Sequence, residues 1–160
     1  MDAEELYRRY ACGERDFSGV DLSGVNLSIA GVGDIRDIQP GQNVLSGINL
    51  SGANLTRANL EFVNLSGANL HSADLTEALL LGAILTRADL GDAILDYAEL
   101  GRDLTYADLR GASLFCTRLI ATDLTGANLT GADFRAGGEE CLILCNTIMP
   151  DGNMINDYCS

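Results

Sequence analysis

The sequence predicts an all-β solenoid, a square β-helix with a short capping helix at its N-terminus. Three observations predict it. From Leu45 to Leu100 a leucine recurs at every fifth position, and the spacing resumes at Leu104 and runs to Leu129 and Phe134. Two positions before most of these centres stands a small residue, usually alanine, as at Ala53, Ala58 and Ala107. Between the two lies Asn or Asp, as in Ala53-Asn54-Leu55 and Ala107-Asp108-Leu109. A period of five fits neither the helical repeat near 3.6 residues nor the strand repeat of 2. The small-x-Leu unit obeys strand alternation locally, and a corner after it turns the chain through roughly a right angle. Four corners then close a coil of about twenty residues, and coils stack about 4.8 Å apart by strand pairing.

The elements follow in chain order. A solenoid end exposes apolar surface and unpaired strand edges, so it needs a cap. Residues 2–12 read as a helix, with Leu6 and Tyr10 at i, i+4 spacing, Ala3 and Tyr7 nearby, and Gly13 as the stop. We assign residues 1–13 as the N-terminal cap; a partner-binding helix is the alternative. Repeats begin at Phe17, Leu22 and Leu27 and continue to Val32. Residues 33–42 lack the repeat and carry Pro40 between glycines, which predicts a loop thrown out from a corner. Its Ile35, Arg36, Asp37 and Ile38 form a candidate interaction loop, the isoleucines folding back on the solenoid or meeting a partner. Repeats fill 43–134, shortened by one residue between Leu100 and Leu104. Beyond them Cys141–Cys145 reads as a last strand, Met149-Pro150-Asp151-Gly152 as a turn and Asn153–Ser160 as a tail, so that 135–160 form the C-terminal cap of a single 160-residue domain.

With Ser51-Gly52-Ala53-Asn54-Leu55-Thr56-Arg57-Ala58-Asn59-Leu60 as its clearest stretch, the chain resembles the pentapeptide-repeat family, whose consensus is A-(D/N)-L-x-x. The resemblance implies a right-handed quadrilateral β-helix. The run Cys145 to Gly152 looks like the closing segment of many cyanobacterial members, and Arg9 to Phe17 like their beginnings. Some lumenal relatives are implied to tie the C-terminal cap with a disulfide, for which Cys145 with Cys159, or Cys141 with Cys159, are the candidate pairs in an oxidising compartment.

Composition narrows the function. The 10 basic and 23 acidic residues give a net charge of −13, which argues against binding nucleic acid or anionic lipid directly. No apolar run is long enough to span a membrane. The acidic N-terminus lacks the layout of a secretory signal, so a cytoplasmic protein is expected; a mature form with an added Met would look the same, leaving the thylakoid lumen or periplasm as alternatives. Five cysteines without a C-x-x-C pair make a zinc site improbable, and in a reducing compartment they are expected to serve as small buried hydrophobes. The single histidine, His71, falls at an outward position and is read as solvated. No nucleophile elbow or phosphate-binding loop occurs, so neither catalysis nor a cofactor or metal is expected. Asp and Asn interchange freely before the leucines, which assigns them to turn hydrogen bonding.

Some outward positions abandon the polar pattern. Leu79, Ile84 and Ile94 occupy the Asn/Asp slot, Leu81 follows a core leucine, Tyr97 is expected in the column of Arg57 and Glu77, and Phe62 and Tyr106 add further aromatics. Leu79, Leu81, Ile84, Ile94 and Tyr97 are therefore a candidate protein-binding patch, although they belong to more than one wall. A non-enzymatic structural or protein-interaction module is the leading expectation. The alternative is a DNA mimic: gyrase-protecting members of the family are implied to present an acidic rod, but Pro150-Asp151-Gly152 breaks the chain where their C-terminal dimerisation helix would lie.

Overall fold

The computed structural model describes residues 1–28, 44–135, 138–140 and 142–157, with residues 138–140 and 157 described through their backbone alone. Parallel bridges join Asn49 to Asn69, Asn54 to Asp74, Asn59 to Leu79 and Asn64 to Ile84, each partner 20 residues ahead. Repeated along the chain, these pairings define four walls of stacked pentapeptides. Wall 1 stacks Phe17, Leu50, Leu70, Leu90, Leu109 and Leu129; wall 2 stacks Leu22, Leu55, Leu75, Leu95 and Leu114. Wall 3 stacks Leu27, Leu60, Leu80, Leu100 and Leu119, and wall 4 stacks Leu45, Leu65, Leu85, Leu104 and Leu124. All of these centres are buried, as are the alanines two positions before them. Burying each leucine contributes roughly 1.5–3 kcal/mol before chain entropy is subtracted.

The pentapeptide accounts for each of its own N–H groups. In the unit around Leu50, Leu50 N–H donates to the Asn69 carbonyl of the next coil (2.7 Å), and Gly52 N–H to that of His71 (2.9 Å). Ala53 N–H closes the corner on the Leu50 carbonyl (3.0 Å), and Asn54 N–H reaches back to Val20 (2.9 Å). The remaining donor, Ser51 N–H, goes to the side-chain Oδ1 of Asn49 (3.1 Å). The same side-chain bond recurs at Asp16, Asp21, Asn54, Asp74, Asp108 and Asn128, and Asp and Asn serve equally. Hydrogen bonding is thus what the slot supplies. In the described repeats the corner residue two places after the central leucine has positive φ, as at Gly52 (63°), a type II turn.

Where pairing extends it forms strands: β1 (Leu79–Leu80), β2 (Glu99–Asp103), β3 (Arg118–Asp123) and β4 (Gly138–Glu140) stack in parallel in that order on wall 3. The one-residue shortening lies in β2, where the register shifts between Gly101 and Asp103. Bridges spanning it cover 19 residues, Ile84 to Asp103 and Asp89 to Asp108, and those beyond it return to 20, as from Asp108 to Asn128. In the first coil Asp16, Asp21 and Asn26 bridge Asn49, Asn54 and Asn59, 33 positions ahead instead of 20. That coil therefore holds 13 residues beyond a plain one, all between Leu27 of wall 3 and Leu45 of wall 4.

Helix α1 (Ala3–Ala11) closes the first coil. Asp2 caps it by accepting from Glu5 N–H, Leu6 is buried, and Arg8 and Arg9 lie in its last turn. Tyr7 and Tyr10 donate their hydroxyls to the Leu27 (2.9 Å) and Ser46 (2.7 Å) carbonyls, and the Ser46 carbonyl is of the kind that a preceding coil satisfies further along the chain. Burial pushes the Tyr7 phenol well above its usual pKa. At the other end the expected Met149–Gly152 turn joins an antiparallel hairpin, β5 (Leu144–Ile148) and β6 (Met154–Asp157), where a Cys141–Cys145 strand and a tail were expected. The strand begins later than the run of apolar residues because Ile143 still bridges Asp123 as part of wall 4, and the tail pairs back on β5.

Candidate functional site

The five residues of the sequence-derived patch fall on three walls. Leu79 and Leu81 share wall 3, Ile84 lies past the next corner on wall 4, and Ile94 and Tyr97 lie on wall 2. Positions five apart step to successive walls, so nearness in sequence does not gather them. Wall 3 does bring together Leu79, Leu81 and Phe62, and Phe62 is 51% exposed. The Phe62 ring lies over Gly82 of the next coil, 2.5 Å from where a Cβ would stand, and Leu81 Cδ2 lies 3.1 Å from the corresponding point on Gly101. The two glycines let a flat apolar strip form on the outside of the coil.

A second cluster was not legible in advance. Tyr97 meets Phe115 edge to face (ring centroids 5.6 Å apart, planes at 89°), and Arg135 lies 5.0 Å over Phe115. Phe115 stands where most units carry Ser or Thr, and the register shift hides its place under Tyr97 in the sequence. In the expected column, Arg57 is ion-paired with Glu77, which depresses the Glu77 carboxyl through the guanidinium hydrogen bond. On wall 4, Arg87 lies 5.6 Å from the Tyr106 ring centroid, and the ring covers Gly126.

His71 is half-exposed on wall 1 over Gly91, with Nδ1 3.7 Å from Asp89 and Nε2 3.7 Å from Asp92 on the next coil. Arg110 of the following coil pairs with Asp108 and, by that hydrogen bond, holds its carboxyl below the usual range. His71, Asp89, Asp92 and Arg110 line a depression of about 380 Å³. Wall-mates 19 or 20 residues apart are the signal that would have found it. Among the described residues no group of three or more His, Cys, Asp or Glu could hold a metal ion. Among the same residues no helix is long and apolar enough to cross a membrane.

The cysteines correct an expectation. Cys12 is exposed and free, Cys116 half-buried and free, and Cys145 half-buried and disulfide-bonded. None of the three is a core residue: Cys116 and Cys145 stand at outward corner positions, and Cys12 caps α1. The partner of Cys145 lies outside the described residues, as does Cys159. The candidate loop residues Ile35, Arg36, Asp37 and Ile38 also lie outside them.

Four walls of stacked five-residue units, identical inside and variable outside, define a repeat scaffold. The chain belongs to the pentapeptide-repeat family: the family's model, pentapeptide repeats, matches 8 copies over residues 44–82, 73–102 and 103–136. No curated protein matches the chain. Among solved structures it is similar to a trypsin-treated form of QnrB1, a plasmid-mediated fluoroquinolone resistance protein, at 20% identity over 82% of this chain and 66% of that one, with a TM-score of 0.55. It is also similar to HetL, a pentapeptide repeat protein involved in heterocyst differentiation regulation from the cyanobacterium Nostoc sp. strain PCC 7120, at 24% identity over 97% of this chain and 100% of that one, with a TM-score of 0.28. A pentapeptide repeat protein of the Arabidopsis thaliana thylakoid lumen matches at 30% identity over 78% and 68% of the two chains, with a TM-score of 0.35.

Proposed function

We propose that the chain is a single, right-handed, closed quadrilateral β-helix that serves as a non-catalytic protein-interaction module, docking through wall 3. The handedness is supported by the general rule that about 98% of crossovers between parallel strands are right-handed. One observation carries the docking surface: Phe62 and Leu79 place exposed apolar side chains, with Leu81 half-buried beside them, on a wall where the repeat elsewhere sets Asn, Ser and Gly. Capture from the native host with wild type and Leu81→Asp tests it. Loss of specific partners in the variant supports the reading, and identical partner sets overturn it. We also assign the partner of Cys145 as Cys159; peptide mapping without reductant checks this, and a Cys141–Cys145 linkage refutes it.

A second reading, a DNA mimic acting on a topoisomerase, is favoured by the net charge of −13. A gyrase supercoiling assay tests it. Absence of both protection and inhibition at micromolar protein discards it.

A further inference from the structure

Among the described residues, charge is distributed unevenly over the walls. Through residue 135, walls 1 and 2 together carry nine outward carboxylates (Asp16, Asp89, Asp92 and Asp108, then Asp21, Asp74, Glu77, Asp96 and Asp133) against the four arginines Arg15, Arg57, Arg110 and Arg135. Between Asn26 and Ala121, wall 3 carries only Glu61, Glu99, Arg102 and Arg118, which sum to zero; the last strand of the wall, β4, adds Glu139 and Glu140. Glu99 and Arg118 are paired with each other. Glu61 and Arg102 make no ion pair among the described residues, and they stand one coil to either side of Leu79 and Leu81.

A molecule of charge −13 repels its own copies, so self-association needs a face without net charge. The stretch of wall 3 from Asn26 to Ala121 is such a face, and it can be matched to itself about its central coil. Two copies can meet face to face about a two-fold axis running along the strand of the Leu79–Leu81 coil. The operation inverts the order of coils but keeps each position along the wall. Leu79 and Leu81 of one copy then meet the same residues of the other, and Glu61 of each copy faces Gly101 of the other, one position along the strand from Arg102. Glu99 faces Asn59, so no like charges are brought together. Such an isologous contact repeats each pair twice.

We propose that wall 3 is the interface of an antiparallel homodimer. This deepens the reading of wall 3 as a docking surface by naming a second copy of the chain as its occupant. One wall is a small area, so the dimer belongs to the weak, reversible class.

Sedimentation analysis of the full chain over a concentration series tests it, with Leu81→Asp, Glu61→Arg and the double variant Glu61→Arg/Arg102→Glu. Asp96 already stands at the position equivalent to Leu81 on wall 2, so Leu81→Asp suits the fold. We expect a wild-type monomer–dimer equilibrium that Leu81→Asp abolishes. Glu61→Arg should weaken it about tenfold, and the double reversal should restore it. A wild type that stays monomeric at all concentrations overturns the dimer, as does a dimer indifferent to these changes. Partner capture that still depends on Leu81 in a monomeric protein would leave the docking surface standing and remove only the homodimer.

Discussion

At the residue scale, the Asn or Asp before each leucine supplies the acceptor for one backbone N–H, and Leu79, where that acceptor is missing, marks a local rule broken on the outside of the molecule. Leu79→Asn restores the bond and removes an exposed apolar side chain, so it should raise stability by about 0.5–1.5 kcal/mol in urea denaturation while weakening association through wall 3. A fall in stability would show that the Leu79 side chain packs productively on its own wall. Asp103 shows the slot with a charge. Burial alone would raise its carboxyl, but hydrogen bonds from the Thr105 N–H and hydroxyl and from the Thr86 hydroxyl, with Arg102 nearby, hold it below the ordinary 3.8. A depressed folded-state pKa adds stability above the unfolded value and loses it as pH falls through the folded one. Asp103→Asn should therefore be less stable than wild type at neutral pH, and the gap should close at acid pH below 3.8. An unchanged gap between neutral and acid denaturation curves would assign the loss to packing instead. The inward leucines, the alanines and the Asn/Asp role were all legible in the sequence, because each depends only on a residue and its near neighbours. The Tyr97–Phe115 and His71–Asp89–Asp92 groupings were not, since they join positions a whole coil apart.

At the element scale, the corner and the ladder fix the coil, and departures are absorbed where they occur. The shortening at Gly101–Asp103 removes one residue from a corner and leaves every later column in register, because pairing is counted wall by wall. The run Leu100-Gly101-Arg102-Asp103-Leu104 lacks only the small residue of a complete unit. Inserting an alanine between Arg102 and Asp103 should restore a 20-residue coil and shift the thermal midpoint by no more than a few degrees, read by circular dichroism. Cooperative loss of the fold would show that Gly101, packed under Leu81, has no room for a regular corner. The sequence located this shortening and the α1 cap. It did not locate the C-terminal hairpin, whose β5 continues wall 4 into wall 1 and whose β6 has no repeat to announce it.

At the scale of the whole molecule, leucine-on-leucine stacking works against electrostatic self-repulsion. The formal charge of −13 leaves at least that many carboxylates without a cation, and stacking places carboxylates such as Asp89 and the Arg110-paired Asp108 on successive coils of wall 1. The exposed pairs, such as Arg57–Glu77, are worth little each and are themselves screened by salt. Repulsion spread over two walls should outweigh a few surface pairs, so adding sodium chloride from low to physiological ionic strength should raise the denaturation midpoint. Asp89→Asn removes one charge from the Asp89–Asp108 stack while keeping the turn acceptor that receives Gly91 N–H, and should make the midpoint less sensitive to salt. A midpoint that falls with salt would mean that the ion pairs dominate. The acidic walls would then be held together by charge, and the low net charge of wall 3 would no longer favour it as the meeting face of two copies.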